Sequence, residues 1–221
     1  MLRTGIAAGF ADIWMSSEQP LVHVVDDDPS FRKAMVRLLR AGGYRVGEYE
    51  SAAEFLETAL LGEHGCVVTD LRMPGRSGLD LQEALAAKQS SMPVIFLSGY
   101  GTIPDSVRAM RHGAEDFLTK PVARDELFAA LGRALARDGE ARERSAMIAD
   151  LQSRMARLTP READVFRHVI AGRMNKQIAY ALGTGERTIK AHRASIAAKL
   201  EARSIAELVR LAEVLGLKPA E

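Results

Sequence analysis

Apolar positions along the first two thirds of the chain follow two alternating patterns. Short runs rich in β-branched residues (Leu21 to Val25, Cys66 to Thr69, Val94 to Leu97, Phe117 to Thr119) are separated by longer stretches with apolar residues at helical spacing. Runs of the first kind read as buried strands, and their alternation with helices predicts a parallel α/β sheet. Pro29 to Ala41 keeps the helical period through Phe31, Met35, Leu38 and Leu39 and stops at Gly42-Gly43. Tyr44 to Tyr49 is a further strand. Ser51 to Leu61 is a helix with Ser51 as N-cap and Glu54 completing a capping box. Helices over Leu79 to about Ala87, Pro104 to His112 and Arg124 to Arg137 complete five β/α units. Right-handed crossovers then give a doubly wound five-stranded sheet with helices on both faces.

The period changes after Arg137. Residues 138–157 are charged and alanine-rich but keep an apolar stripe at Ile148, Leu151, Met155 and Leu158. This predicts a linker helix, or an extension of the preceding helix with Gly139 as its weak point, whose stripe packs on a neighbouring domain or protomer; a solvated helix is the alternative. From Leu158 onward short helices follow one another closely. Thr159-Pro160-Arg161-Glu162 places an N-cap, a proline at the first helical position and a capping-box glutamate in order. Asn175 is expected to cap a helix over Lys176 to Leu182, stopped by Gly183. A third helix runs from about Glu186 to Leu200 and a fourth from Ser204 to Leu215. Short helix–turn–helix spacing with glycine in the turn suits a DNA reader. The expected organisation is a loose extension over 1–19, an α/β domain over 20–137, a linker helix over 138–157 and an all-α helix-turn-helix domain over 158–221.

Composition sharpens this division. The net charge of +1 conceals an acidic segment, Pro20 to Glu140, with 14 Lys and Arg against 18 Asp and Glu. Ala141 to Glu221 is basic, with 15 against 9, and suggests a polyanion partner. One cysteine, Cys66, excludes a disulfide within the chain and fits a reducing cytoplasm. Its place at the start of a buried strand marks it as core. The five histidines lack zinc-ligand spacing. No apolar stretch is long enough to span a bilayer. Residues 1–19 do not form a convincing signal peptide, and Met15 is an alternative start.

Chemistry concentrates at the strand ends. The first strand runs into Asp26-Asp27-Asp28, the third into Asp70, the fourth into Ser98 and the fifth into Lys120-Pro121. In open parallel sheets ligands gather outside the carboxyl ends of the strands. Asp26, Asp27, Asp70, Ser98 and Lys120 are therefore expected in one crevice, a site for a divalent metal and a phosphoryl group. Carboxylates suit a hard cation such as Mg²⁺, and a carboxylate beside it can attack phosphorus.

Val24-Val25-Asp26-Asp27-Asp28, Thr69-Asp70-Leu71-Arg72-Met73-Pro74-Gly75, Leu97-Ser98-Gly99 and Phe117-Leu118-Thr119-Lys120-Pro121 together resemble the CheY-like receiver domain of two-component response regulators. The resemblance implies that Asp70 is the phosphoacceptor for a sensor histidine kinase. It implies Mg²⁺ held by Asp26, Asp27, Asp70 and the backbone carbonyl of Arg72. Ser98 matches the switch hydroxyl, Lys120 the family's lysine, with a cis bond before Pro121, and Phe117 the switch aromatic. Asp28 stands where the family often has Glu and is expected to cap the helix at Pro29.

Leu158-Thr159-Pro160-Arg161-Glu162-Ala163, Gly172 to Ala179 and Glu186 to His192 are similar to the LuxR-type helix-turn-helix. With the receiver motifs they resemble a FixJ/NarL-type transcriptional regulator. The third helix presents Arg187, Lys190, Arg193 and Lys199, and Lys176 sits at a helix start suited to a phosphate. Thr188 and His192 complete the candidate DNA contacts. Thr184-Gly185-Glu186 departs from the family's usual Ile-Ser-Glu and gives up an apolar turn residue and a serine N-cap, together at about 1 kcal/mol of local stability. The implied partners are a sensor histidine kinase, double-stranded DNA, RNA polymerase and a second copy of the chain when phosphorylated. Because the Asp70 chemistry is self-directed, no enzyme is expected. The alternatives are a receiver controlling a helical protein- or RNA-binding output, and a phosphohydrolase. The latter needs a second catalytic acid, which Leu71-Arg72 does not supply.

Overall fold

A computed structural model describes residues 19–59, 62–99 and 103–220. The expected extension, apart from Gln19, and the last two residues of the helix expected to reach Leu61 lie outside these ranges. Two compact units divide the chain, Met1–Arg142 and Glu143–Glu221.

The first unit contains β1 (Leu21–Val25), α1 (Pro29–Ala41), β2 (Arg45–Tyr49), α2 (Ala52–Thr58), β3 (Gly65–Asp70), α3 (Gly78–Ala87), β4 (Val94–Ser98), α4 (Ile103–Arg111) and β5 (Asp116–Thr119). All strand pairings are parallel, in the order β2-β1-β3-β4-β5. The chain leaves β1 toward one edge, returns from β2 past it, and so reverses direction between β1 and β3. A reversal of this kind separates the loops after two neighbouring strands and opens a crevice at their carboxyl ends.

Side-chain alternation along the strands builds two cores. Val22 and Val24 face one side with Cys66, Val68, Ile95, Leu97 and Leu118, where α1 supplies Met35, Val36 and Leu39. Val25, Val67 and Phe96 face the other with Phe55 of α2, Leu81 and Leu85 of α3 and Ala109 of α4. Each fully buried Leu, Val or Phe contributes roughly 1.5–3 kcal/mol relative to exposure. Asp28 caps α1 as expected, its Oδ1 accepting from the amides of Ser30 and Phe31 at 2.8 and 3.2 Å. Ser51 caps α2 as expected, its Oγ accepting from the Glu54 amide at 3.2 Å, but the box is not closed: the Glu54 carboxylate accepts from the Glu50 amide instead of the Ser51 amide, and α2 ends at Thr58.

The final receiver-like helix and the linker are one element. α5 runs without interruption over Arg124–Ala156, Gly139 included. At its middle, buried Asp138 accepts from His64 Nδ1 at 2.7 Å and from the Gly65 amide at 3.0 Å, and pairs with Arg142 at 3.2 Å. Arg142 also donates to the Gly62 carbonyl. These ties give the helix local support beside its glycine.

The second unit continues with α6 (Pro160–Ile170), α7 (Asn175–Ala181), α8 (Glu186–Lys199) and α9 (Ile205–Val214). Val165, Phe166, Val169, Ile178, Ile189, Ile196, Leu200 and Leu208 form its core, with Met155 and Leu158 packed against it. The expected stripe after Gly139 is thus partly absorbed by this unit. The cap of α7 needs a correction. Asn175 lies inside the helix, and Met174 occupies the N-cap position, its amide donating to Gln177 Oε1 at 2.8 Å. Asn175 Oδ1 is used instead by Arg193 of α8.

Candidate functional site

The strand ends bring the predicted residues together. Asp26 and Asp27 follow β1, Asp70 ends β3, Ser98 ends β4 and Lys120 follows β5. Backbone bonds fix their spacing: the Leu71 amide donates to the Leu97 carbonyl at 3.1 Å, and the Lys120 amide to the Ser98 carbonyl at 2.9 Å. The Lys120-Pro121 peptide is cis. A glycine admits the returning loop. A Cβ on Gly78 would lie 2.3 Å from the Asp70 carbonyl oxygen and 3.0 Å from the Phe96 ring.

Carboxylate oxygens from Asp26, Asp27 and Asp70 lie within 4.8 Å of one another. Asp26 is buried, Asp70 half-buried and Asp27 exposed. Lys120 Nζ bridges two of them, 2.7 Å from Asp26 Oδ2 and 3.1 Å from Asp70 Oδ2. Burial pushes the Asp26 carboxyl above the usual carboxylate range, opposed by the Lys120 hydrogen bond. Burial also pulls the Lys120 ammonium down, but hydrogen bonds and charge from Asp26 and Asp70 outweigh it and leave it raised. Lys120 therefore stays cationic and holds the acids in register. Such an arrangement offers hard oxygen donors to one cation, a half-exposed carboxylate nucleophile, and a fixed cation for new anionic oxygens.

Two further groups serve the pocket that sequence patterns did not single out. The Phe31 ring lies 4.1 Å beneath Lys120 Nζ, a cation–π contact. Arg32 Nη1 donates to the Asp26 carbonyl at 2.5 Å. Their signal was only position, one turn into the helix that follows the acids. Ser98 is buried at the end of β4, and Phe117 is half-buried and stacked on Phe96 with ring centroids 6.2 Å apart. The Arg72 amide approaches Asp70 Oδ1 at 3.4 Å, and its guanidinium reaches Asp105 of α4 at 3.4 Å.

In the second unit, α7, the turn Leu182 to Gly185 and α8 make a helix-turn-helix. Gly185 caps α8 without a side-chain bond, as the missing serine predicts. Lys176, Arg187, Thr188 and Lys190 are exposed, and His192 is half-buried. Arg193 and Lys199 are tied down. Arg193 Nη1 donates to Asn175 Oδ1 at 3.0 Å, and Lys199 Nζ lies 2.6 Å from Glu162 Oε2. Glu162 also accepts from Ser195 Oγ at 2.6 Å and from the Thr159 amide at 2.8 Å. Lys199, then Ser195 and Thr159, pull its carboxyl down to about 2. Sequence reading assigned Glu162 only its capping box, because its partners lie more than thirty residues away. No helix among the described residues is long and apolar enough to cross a membrane.

Comparison with known proteins agrees with both halves. The family model for the response regulator receiver domain matches residues 22–132, and that for bacterial regulatory proteins of the luxR family matches 156–212. Nodulation protein W of Bradyrhizobium diazoefficiens is 43% identical over 202 residues, covering 91% of this chain and 89% of its own. The transcriptional regulatory protein FixJ of Azorhizobium caulinodans is 40% identical over 200 residues, covering 90% and 95%. The solved structure of the response regulator StyR superposes with a TM-score of 0.81 at 43% identity, over 89% of this chain and 99% of that one. Matching domains, in this order and over nearly the full length of these relatives, place the chain in the FixJ/NarL-type response regulators, transcriptional regulators that couple a receiver domain to a LuxR-type DNA-binding domain.

Proposed function

We propose that Asp70 accepts a phosphoryl group from a sensor kinase phosphohistidine and that this switches DNA binding by α7 and α8. The carrying observation is the meeting of three carboxylates and Lys120 in one crevice. An Asp70 carboxylate oxygen attacks phosphorus, the P–N bond breaks, and its electron pair returns to the departing imidazole. Asp26, Asp27, Asp70 and the Arg72 backbone carbonyl are the groups that would hold Mg²⁺, and the ion would neutralise charge between the attacking carboxylate and the incoming phosphoryl oxygens. Lys120 exchanges its Asp70 contact for a phosphoryl oxygen. The Ser98 hydroxyl donates to another, and Phe117 repacks behind it. The face of α4 carrying Val107, Met110 and Arg111 then pairs with a second copy. Two joined reading heads gain effective concentration on paired half-sites.

Exposed Lys176, Arg187, Thr188 and Lys190, with His192, carry the DNA contact, and RNA polymerase is the further partner of a bound regulator. The domain limits proposed for this activity are 20–137 for the receiver, 138–157 for the connecting segment and 158–221 for the reading head, in a cytoplasmic protein.

Acetyl phosphate with Mg²⁺ tests the chemistry, the adduct being mapped by mass spectrometry. Label should reside on Asp70 and vanish in Asp70→Asn. Equal labelling of that variant would refute the assignment.

A further inference from the structure

Building on the DNA-binding reading above, we infer that Glu162, with Ser195 and Lys199, forms a lock that sets the pose of α8, so that Lys199 positions the reading helix rather than touching DNA. The apolar side of α8, Ile189, Ile196 and Leu200, already packs into the core. Apolar contacts are non-directional and by themselves leave small rotations and slips of a short helix inexpensive. Charge-assisted hydrogen bonds have fixed lengths and angles and remove that freedom.

Glu162 supplies them from α6. It is 5% exposed, too deep to meet a duplex, and both carboxylate oxygens are engaged. Its two α8 partners, Ser195 and Lys199, stand four residues apart and so share one face of that helix. Lys190 and Lys199 are nine residues apart, about 180° around the helix axis. The side that carries exposed Lys190 is therefore opposite the side that Glu162 holds. The Arg193 bond to Asn175 makes a second tie, from α8 to the first residue of α7. α8 is thus fastened to both preceding helices by polar contacts; Arg187 and Lys190 stay exposed away from the held side, while the other two candidate contacts, Thr188 and His192, lie on the held side nearer the N-terminal end of the helix.

The two roles for Lys199 predict opposite signs for one substitution. Glu162→Gln removes a negative charge and releases the Lys199 ammonium. If Lys199 were a DNA contact, affinity for a polyanion would be unchanged or higher. If the lock positions α8, affinity falls.

The test uses the full chain, activated with acetyl phosphate, and a short duplex selected on the wild-type protein from a random pool. Fluorescence anisotropy across a KCl series gives affinity and its salt slope. Lys190→Ala should lower the slope by about one, the mark of a lost phosphate contact. Glu162→Gln and Lys199→Met should each weaken binding several-fold, as losing a charge-assisted hydrogen bond does, with the slope unchanged. The double variant should be no weaker than the weaker single variant, because both remove the same lock.

Tighter or unchanged binding by Glu162→Gln overturns the inference, as does a slope that drops by one in Lys199→Met. Should Glu162→Gln fail to fold, Ser195→Ala takes its place, with a smaller loss at constant slope expected and unchanged affinity counting against the lock. A wild-type chain that selects no duplex refutes the DNA-binding reading itself, and the lock's role with it.

Discussion

His23 occupies the middle of β1 with none of its surface exposed, its Nδ1 3.1 Å from Tyr49 Oη and its ring edge-on to Phe55. Burial lowers its pKa from 6.5 to about 4, against a smaller opposing pull from the Glu63 carboxylate. The folded histidine is therefore neutral where an unfolded one would be charged. Between these values the unfolded chain binds more protons, so stability rises with pH there and is lost as pH falls from 6.5 toward 4. At roughly 1.4 kcal/mol per unit the full loss is about 3 kcal/mol, and about 2 kcal/mol of it falls between pH 7.5 and 5. For a sheet unit of this size that is a fall of roughly 8 °C in melting temperature. Asp26 works in the opposite direction: its raised carboxyl favours the folded state as acid is added, which makes the net drop smaller at the lowest pH. Calorimetry of the full chain from pH 7.5 to 5 should show one transition that moves by this amount, and His23→Gln, which cannot titrate, should flatten it. A receiver transition that stays put over that range, or that moves equally in His23→Gln, would refute the reasoning.

Gly78→Ala should push the Asp70 backbone aside, since its Cβ would sit 2.3 Å from the carbonyl oxygen. Overpacking of this kind costs about 1–3 kcal/mol, and both the melting temperature and the labelling rate by acetyl phosphate should fall. A chelator in excess should abolish labelling of Asp70 without unfolding the protein, read by mass spectrometry beside circular dichroism. Met110→Glu, on the exposed α4 face, should keep the phosphoprotein monomeric by light scattering while leaving phosphorylation intact. A phosphorylated Met110→Glu dimer would place the interface elsewhere.

The receiver pocket was legible because its chemistry sits at sequence-visible strand ends. Four apolar runs, each closing on Asp, Ser or Lys, fix both the sheet and the crevice once parallel pairing is assumed. β2 was harder to bound: its strand starts at Arg45, one residue later than expected, and none of its residues is fully buried, as an edge strand allows. Continuity of α5 through Gly139 is one of the two readings the sequence leaves open, and the contact that supports it, Asp138 meeting His64, lies seventy-four residues away. Asn175 looked like a cap because asparagine before a helix usually is one, yet Arg193 claims its oxygen from eighteen residues downstream. Lys199 reads as a DNA contact from its place on the last turn of the third helix, and its ion pair with Glu162, set by tertiary packing, leaves no trace in the local sequence. Convergence at the ends of parallel strands was readable, and individual side-chain pairings that involve helices were not.

Cys66 gives the receiver an internal clock. It is the chain's single thiol, lies fully buried on β3 between β1 and β4, and burial drives its pKa far above the ordinary thiol range. The thiolate is the reactive species, so a folded molecule offers an alkylating agent almost nothing. Modification must wait until the central strand opens. A maleimide pulse on unaltered protein would then count opening events of this unit alone, and repeating it with and without phosphoryl donor would show how far the switch stiffens the sheet.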